Sequence, residues 1–204
     1  MKEKLRNPLI QQYILEIALP VVGYFFFGWS ITIIAVFYLI DFFCAEIARN
    51  RRVFKVYKHT TKAKQNAFIL SLLAGGFLFA ISTAWTWWNF EVKHAGNLES
   101  FYNELIQFMK EEGWLILPLV YFVYHLKDVM TFYAPRRFLK RDYLKMVKFQ
   151  IIELSVLTGL ILTGVFLWRY LELGDVLALM SFIILKIGFD ILVARTLDAK
   201  YTTD

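Results

Sequence analysis

The feature that most constrains this chain is a series of apolar blocks, each long enough to cross a bilayer, separated by polar connections. A helix needs about 20 apolar residues to cross the hydrocarbon core. Six stretches approach that length: 8–27, 29–48, 67–88, 114–134, 149–168 and 176–194. Strands are a poor alternative, because the blocks lack the alternation of about ten residues per strand that a membrane barrel shows. Helices satisfy their own backbone polar groups in lipid, and these blocks have the length to do so. The expected fold is therefore an all-α integral membrane protein: one polytopic domain, 1–204, with six transmembrane helices. Composition agrees, with 58% hydrophobic and 20% charged residues, against roughly 45–50% and about 25% in soluble domains.

The start of the chain has the outline of a signal peptide, since Lys2, Lys4 and Arg6 precede an apolar run. Glu16 and Pro20 interrupt that run and no convincing small-residue cleavage site follows, so it is expected to stay as the first span.

Orientation follows from the basic residues. Of the 23 Lys and Arg, 18 fall in the N-terminal tail, the connections after the second and fourth blocks, and the C-terminal tail. Only Lys93, Lys110 and Arg169 fall on the other side, while Lys127 and Lys186 lie within spans. The positive-inside rule puts the rich side, and with it both termini, in the cytoplasm. Trp85, Trp87, Trp88, Trp114, Trp168 and Tyr170 then fall at the outer interface, where amphipathic rings favour the headgroup level. The net charge of +6 is thus explained by topology and lipid contact, and no nucleic-acid partner is expected.

Three connections carry patterns of their own. Within 97–110, Leu98, Phe101, Tyr102, Leu105, Ile106 and Met109 fall on one helical face, opposite Glu99, Asn103 and Glu104, with Asn97 as an N-cap. This predicts a short interfacial helix on the outer side. The inner connections resemble each other, with Arg51, Arg52 and Lys55 in one and Arg136, Arg137, Lys140 and Arg141 in the other, each mixed with apolar residues. Such segments attract anionic headgroups by about 1 kcal/mol per basic residue. The expected partners are the bilayer, its anionic lipids, and a second copy or a membrane complex.

The ionisable residues inside the spans bear most directly on function. They are Glu16, Asp41, His125, Lys127, Asp128, Glu153, Lys186 and Asp190, with Glu46 near the inner boundary. Each charge at mid-bilayer costs roughly 2.5–3.5 kcal/mol on insertion scales, so most must face one another or water. With the orientation above they converge on the cytoplasmic half. In the fourth span, Tyr121, Tyr124, His125 and Asp128 share an arc, and in the sixth, Lys186 and Asp190 stand four apart and can pair. Gly76, Ala80 and Ala84 form a small-residue seam in the third span, suited to close helix contact.

Two readings of the charges stay open. One is a hydrated cavity open to the cytoplasm that binds a cation, a proton or a small polar solute. The other is a buried ion-pair network that fixes helix register. Lone Cys44 excludes an intrachain disulfide and a CxxC pair. HExxH, GxSxG, Walker and metal-spaced His or Cys motifs do not occur, so no metal or cofactor is expected and an enzyme is the weakest hypothesis.

The run Lys186-Ile187-Gly188-Phe189-Asp190, with the long apolar stretch before it, resembles a group of prokaryotic six-span membrane proteins classed as a domain of unknown function. The resemblance covers the last two spans. It implies a six-span fold in the cytoplasmic membrane of a prokaryote and assigns no activity. The expectations are thus a small transporter or channel-like protein or, alternatively, a non-catalytic subunit or scaffold that binds lipid or a cytoplasmic partner through its basic inner loops.

Overall fold

The computed structural model describes residues 8–58, 65–94, 96–134, 143–170 and 174–201, and every regular element among them is helical. In chain order these are α1 (Pro8–Phe26), α2 (Ile31–Tyr57), α3 (Gln65–Lys93), α4 (Leu98–Phe108), α5 (Trp114–Asp128), α6 (Tyr143–Tyr170) and α7 (Asp175–Tyr201). Single π-turns, Met109–Gly113 and Val129–Tyr133, bracket α5.

Three of these helices are long and apolar enough to cross a membrane: α2, most of α3 (Ile69–Lys93) and most of α6 (Leu144–Tyr170). The α-helical run of α5 is 15 residues, and it reaches bilayer length only with its π-turns. The helices overrun the apolar blocks. Thus α2 continues through Arg49, Arg51, Arg52 and Lys55 to Tyr57, so these basic residues extend a helix rather than form a loop. Arg and Lys are good helix formers, and nothing in that segment breaks the helix.

Local chemistry sets the α1–α2 reversal. Gly28 adopts φ +69°, a left-handed conformation open to glycine without steric penalty. The amides of Phe27 and Trp29 both donate to the Gly23 carbonyl, at 3.1 and 2.9 Å. Ser30 then caps α2, its hydroxyl accepting from the Ile33 amide at 3.3 Å.

Pairwise contacts give the helix directions. Trp29, just before α2, meets Phe108 and Glu112 before α5, while Arg52 meets Asp128 at their other ends. Tyr38 and Asp41 of α2 meet Phe182 and Lys186 of α7 in the same order. Asn50 of α2 bonds to Gln150 near the start of α6, and Phe42, earlier in α2, clusters with Leu157 and Ile161, later in α6; these two helices are antiparallel. The late turns of α3 and α6 meet through Phe90 and Trp168. Consequently α2, α5 and α7 run one way and α3 and α6 the other. We call the end near Trp29, Phe90 and Trp168 the aromatic end, and the end near Arg52 and Asp128 the basic end.

The interior is apolar and aromatic. Phe37, Phe42, Phe90, Phe101, Leu154 and Val165 are fully buried. A girdle of large apolar side chains nevertheless faces outward, including Leu73 and Phe77 on α3, Leu115 and Phe122 on α5, and Leu177 and Ile184 on α7. Exposed apolar surface on this scale marks a membrane or protein contact.

Two face assignments need correction. The Gly76–Ala80–Ala84 seam is exposed, and a Cβ at Gly76 would meet open space. The packed face of α3 is instead Ser71, Gly75, Ser82, Thr86 and Asn89. A hydroxyl or amide loses more than a methyl does by facing hydrocarbon, so the small polar face turns inward. In α4 the buried anchors are Phe101 and Phe108, whereas Leu98, Ile106 and Met109 are exposed. The packed stripe is narrower than the sequence pattern and centres on residues 101, 105 and 108.

Candidate functional site

Lys186 of α7 and Asp41 of α2 meet in the interior, Nζ to Oδ2 at 3.6 Å. Lys186 is 7% exposed and Asp41 2%. The other oxygen, Oδ1, accepts a hydrogen bond from the Tyr124 hydroxyl of α5 at 3.1 Å. Three helices of one direction therefore converge on a single carboxylate. Burying such a pair is favourable only where geometry and further hydrogen bonds compensate for lost hydration, and the Tyr124 hydroxyl supplies one such bond.

A narrow crevice opens beside the pair, between α2, α6 and α7. Tyr38, Leu157, Ile161, Phe182 and Leu185 line it with the two charged residues. Its volume is about 20 Å³, enough for one water and too small for a sugar or an amino acid.

Toward the basic end, a second contact ties α2 to α5. Asp128 lies 3.5 Å from the Arg52 Nε. Its side chain is buried, while that of Arg52 is 30% exposed. Arg51 donates to the Tyr121 hydroxyl at 2.5 Å and stands 5.7 Å over the same ring, against which His125 stacks. Lys127 lies 5.9 Å from the centre of the Tyr124 ring. A third node joins α2 to α6: Asn50 donates to Glu46 at 2.7 Å, and Gln150 donates to Asn50 at 2.8 Å. Gly75 of α3 leaves room for Glu46, since a Cβ there would collide with the carboxylate.

The aromatic end is built differently. Several of its polar groups have an aromatic ring beside them: Arg169, 4.8 Å from the Tyr170 ring, donates to Asn89 at 2.5 Å, Lys93 sits 3.7 Å over Trp168, and Trp29 donates to Glu112. Tyr102 on α4 donates to Glu91 on α3 at 2.8 Å. Outside the apolar spans, this bond holds the Tyr102 phenol above its ordinary range, chiefly because the neutral form is the one that donates.

Of the residues singled out from sequence, Asp41 and Lys186 come together, and Asp128 pairs separately with Arg52. Lys186 meets Asp41 across helices, a contact that spacing along one helix does not disclose. Arg51 and Arg52 face α5, and Lys55 is half-buried on the same helix. Glu16, Glu153 and Asp190 lie on described helices, but their side chains fall outside the described residues, as do Arg136, Arg137, Lys140 and Arg141 altogether. Among the described residues, no group of three or more His, Cys, Asp or Glu could hold a metal ion. Tyr124 as a partner of Asp41, and the Glu46–Asn50–Gln150 node, were not foreseen. The only advance signal for Tyr124 was its place on the arc with Asp128.

No family model matches the chain, and neither a curated protein nor a solved structure matches it. The function must therefore be argued from the site.

Proposed function

We propose that this chain is a six-span integral membrane protein, both termini cytoplasmic, that carries protons across the membrane through Asp41 and Lys186. The single observation behind this reading is the buried Asp41–Lys186–Tyr124 contact beside a crevice with room for one water. Ionisable residues at membrane depth mark ion pathways and proton relays more often than ornament. Space for one water suits a proton and excludes the larger solutes that a wide cavity would take.

The alternating helix directions support the topology, with the basic end cytoplasmic, the aromatic end outside, and α4 at the outer interface. Anionic headgroups are the expected lipid partners of the basic end.

The test is proton flux into proteoliposomes loaded with a pH-sensitive dye and driven by a potassium diffusion potential. The wild type should acidify the lumen faster than protein-free vesicles do, and Asp41→Asn should fall to the protein-free rate. Wild-type vesicles that match empty ones would overturn the reading. In a Cys44→Ala background, cysteines at positions 58 and 96 should be labelled by an impermeant maleimide from opposite sides; labelling of both from one side refutes the topology.

A second reading has its own support. Arg51 and Arg52 are engaged with α5, as expected if the charges chiefly lock helices together in a non-catalytic membrane subunit. A well-folded Asp41→Asn variant with wild-type flux would favour it.

A further inference from the structure

We propose that Tyr124 and Asp128, on consecutive turns of α5, form the path by which protons pass between Asp41 and the basic end. This rests on the proton-transport reading and adds the residues that serve its site.

Access to Asp41 decides the matter. The crevice beside it is walled mainly by Leu157, Ile161, Phe182 and Leu185, with the Tyr38 hydroxyl the one polar group in its lining besides the charged pair. On the α5 side the carboxylate meets a hydroxyl, Tyr124, at 3.1 Å. Residues four apart on a helix have Cβ atoms about 5–6 Å apart, so Asp128 stands one turn beyond Tyr124 toward the basic end. Asp128 is buried, yet it is ion-paired with Arg52, whose side chain is 30% exposed. The order Asp41, Tyr124, Asp128, Arg52 thus runs from the interior to the surface. It is the arc that α5 turns inward, with Tyr124 and Asp128 buried and Phe122 and Leu126 exposed.

The transfer balances with water as the only co-reactant. A proton from the aqueous phase binds the Asp128 carboxylate and loosens its pairing with Arg52. One water in the one-turn interval takes that proton and passes one to the Tyr124 oxygen, while the phenolic proton of Tyr124 moves to Asp41 Oδ1. Tyr124 and the water end unchanged, Asp128 returns to the anion, and Asp41 holds the proton. Only O–H bonds form and break. Neutral Asp41 then attracts Lys186 less, which loosens the hold of α2 on α7. Among the described residues, the titratable or charged groups around the path include Lys186, Cys44 and Tyr38 near Asp41, and Arg51, Arg52, Lys127, His125 and Tyr133 near Asp128.

Full-length protein in the same proteoliposomes tests the path. Tyr124→Phe keeps the ring and removes the hydroxyl; Asp128→Asn keeps the shape and removes the titrating group. Each should slow the initial flux by roughly tenfold or more, the scale on which a lost proton-transfer group is felt, with melting in detergent recorded alongside. A merely structural Asp128 would not respond to a small weak acid, so sodium formate, equilibrated across the membrane and with the proton movement it causes in protein-free vesicles subtracted, should restore much of the Asp128→Asn flux and none of the Asp41→Asn flux. If Asp41→Asn abolishes flux while Tyr124→Phe and Asp128→Asn both run at the wild-type rate, the path is wrong and the transport reading stands. A slow Asp128→Asn variant that formate leaves unchanged also overturns the path. Wild-type flux in Asp41→Asn removes the transport reading itself.

Discussion

Helices α2 and α3 are both long and apolar enough to cross a membrane, and they meet opposite fates. Their most apolar windows have mean hydropathies of 2.1 and 1.7, yet 67% of the first is buried inside the protein and only 22% of the second. The helix with the more apolar window is the one that turns away from its surroundings. It also carries Asp41, Glu46 and Arg49 in the interior, whereas α3 has no charged residue before Glu91. In lipid, hydrocarbon chains solvate a leucine as well as a neighbouring helix does. Mean hydropathy therefore decides whether a helix enters the membrane, and its few polar groups decide which way it faces. The same logic works within α3, where Ser71, Ser82, Thr86 and Asn89 pack inward and Ile69, Leu73 and Phe77 do not. Its buried polar groups are partly satisfied within the helix, Ser82 and Asn89 bonding the carbonyls of Leu78 and Trp85.

The sharpest way to break this contrast is to strand a charge on the α2 side. Lys186→Ala leaves Asp41 without the amine it pairs with and should destabilise the protein by about 3–5 kcal/mol, read as unfolding in detergent; a loss below about 1 kcal/mol would mean the pair contributes little. Ring deletions come next. Phe37→Ala, in the interior, should cost about 3 kcal/mol, while Phe77→Ala, 66% exposed on α3, should leave the melting midpoint nearly unchanged, and equal shifts would erase the distinction between the two helices. Adjacent glycines on α3 give a finer test. Gly75→Ala would drive a methyl into Glu46 and should cost about 1–3 kcal/mol, whereas Gly76→Ala meets open space and should be neutral or stabilise by up to about 1 kcal/mol.

The smallest effect lies at the aromatic end. Tyr102 titrates above its ordinary value of 10.0 because its neutral form donates to Glu91. A phenol with a raised folded value stabilises below the unfolded value, and the contribution fades as pH climbs through the folded one. The pH dependence of the melting midpoint should therefore differ between wild type and Tyr102→Phe only in the alkaline range above that value. A difference confined to neutral pH would contradict the Tyr102–Glu91 bond.

Much of the helical layout was legible because block length alone calls for helices, and every described element is one. The basic segment at the end of α2 was harder, since Arg51 and Arg52 end an apolar block and so resemble a loop, while their backbone continues the helix to Tyr57. The choice of partner for each charge was not legible. Lys186 has Asp190 one turn away in sequence, but Asp41 reaches it only because α7 packs parallel to α2, a fact no local pattern contains. The seam on α3 was misplaced for a related reason: small residues occur on two faces, and the polar members of one face, rather than the size of either, determined which turned inward.

The most direct measurement is proton flux through the double variant Asp41→Asn, Lys186→Met in proteoliposomes, with its melting recorded in parallel. Removing both members of a buried pair is often neutral for stability, so this variant should fold and melt close to wild type. It should nevertheless pass protons no faster than protein-free vesicles. A double variant that melts normally and keeps wild-type flux would show that the pair only holds helices together, and would contradict the account at its centre.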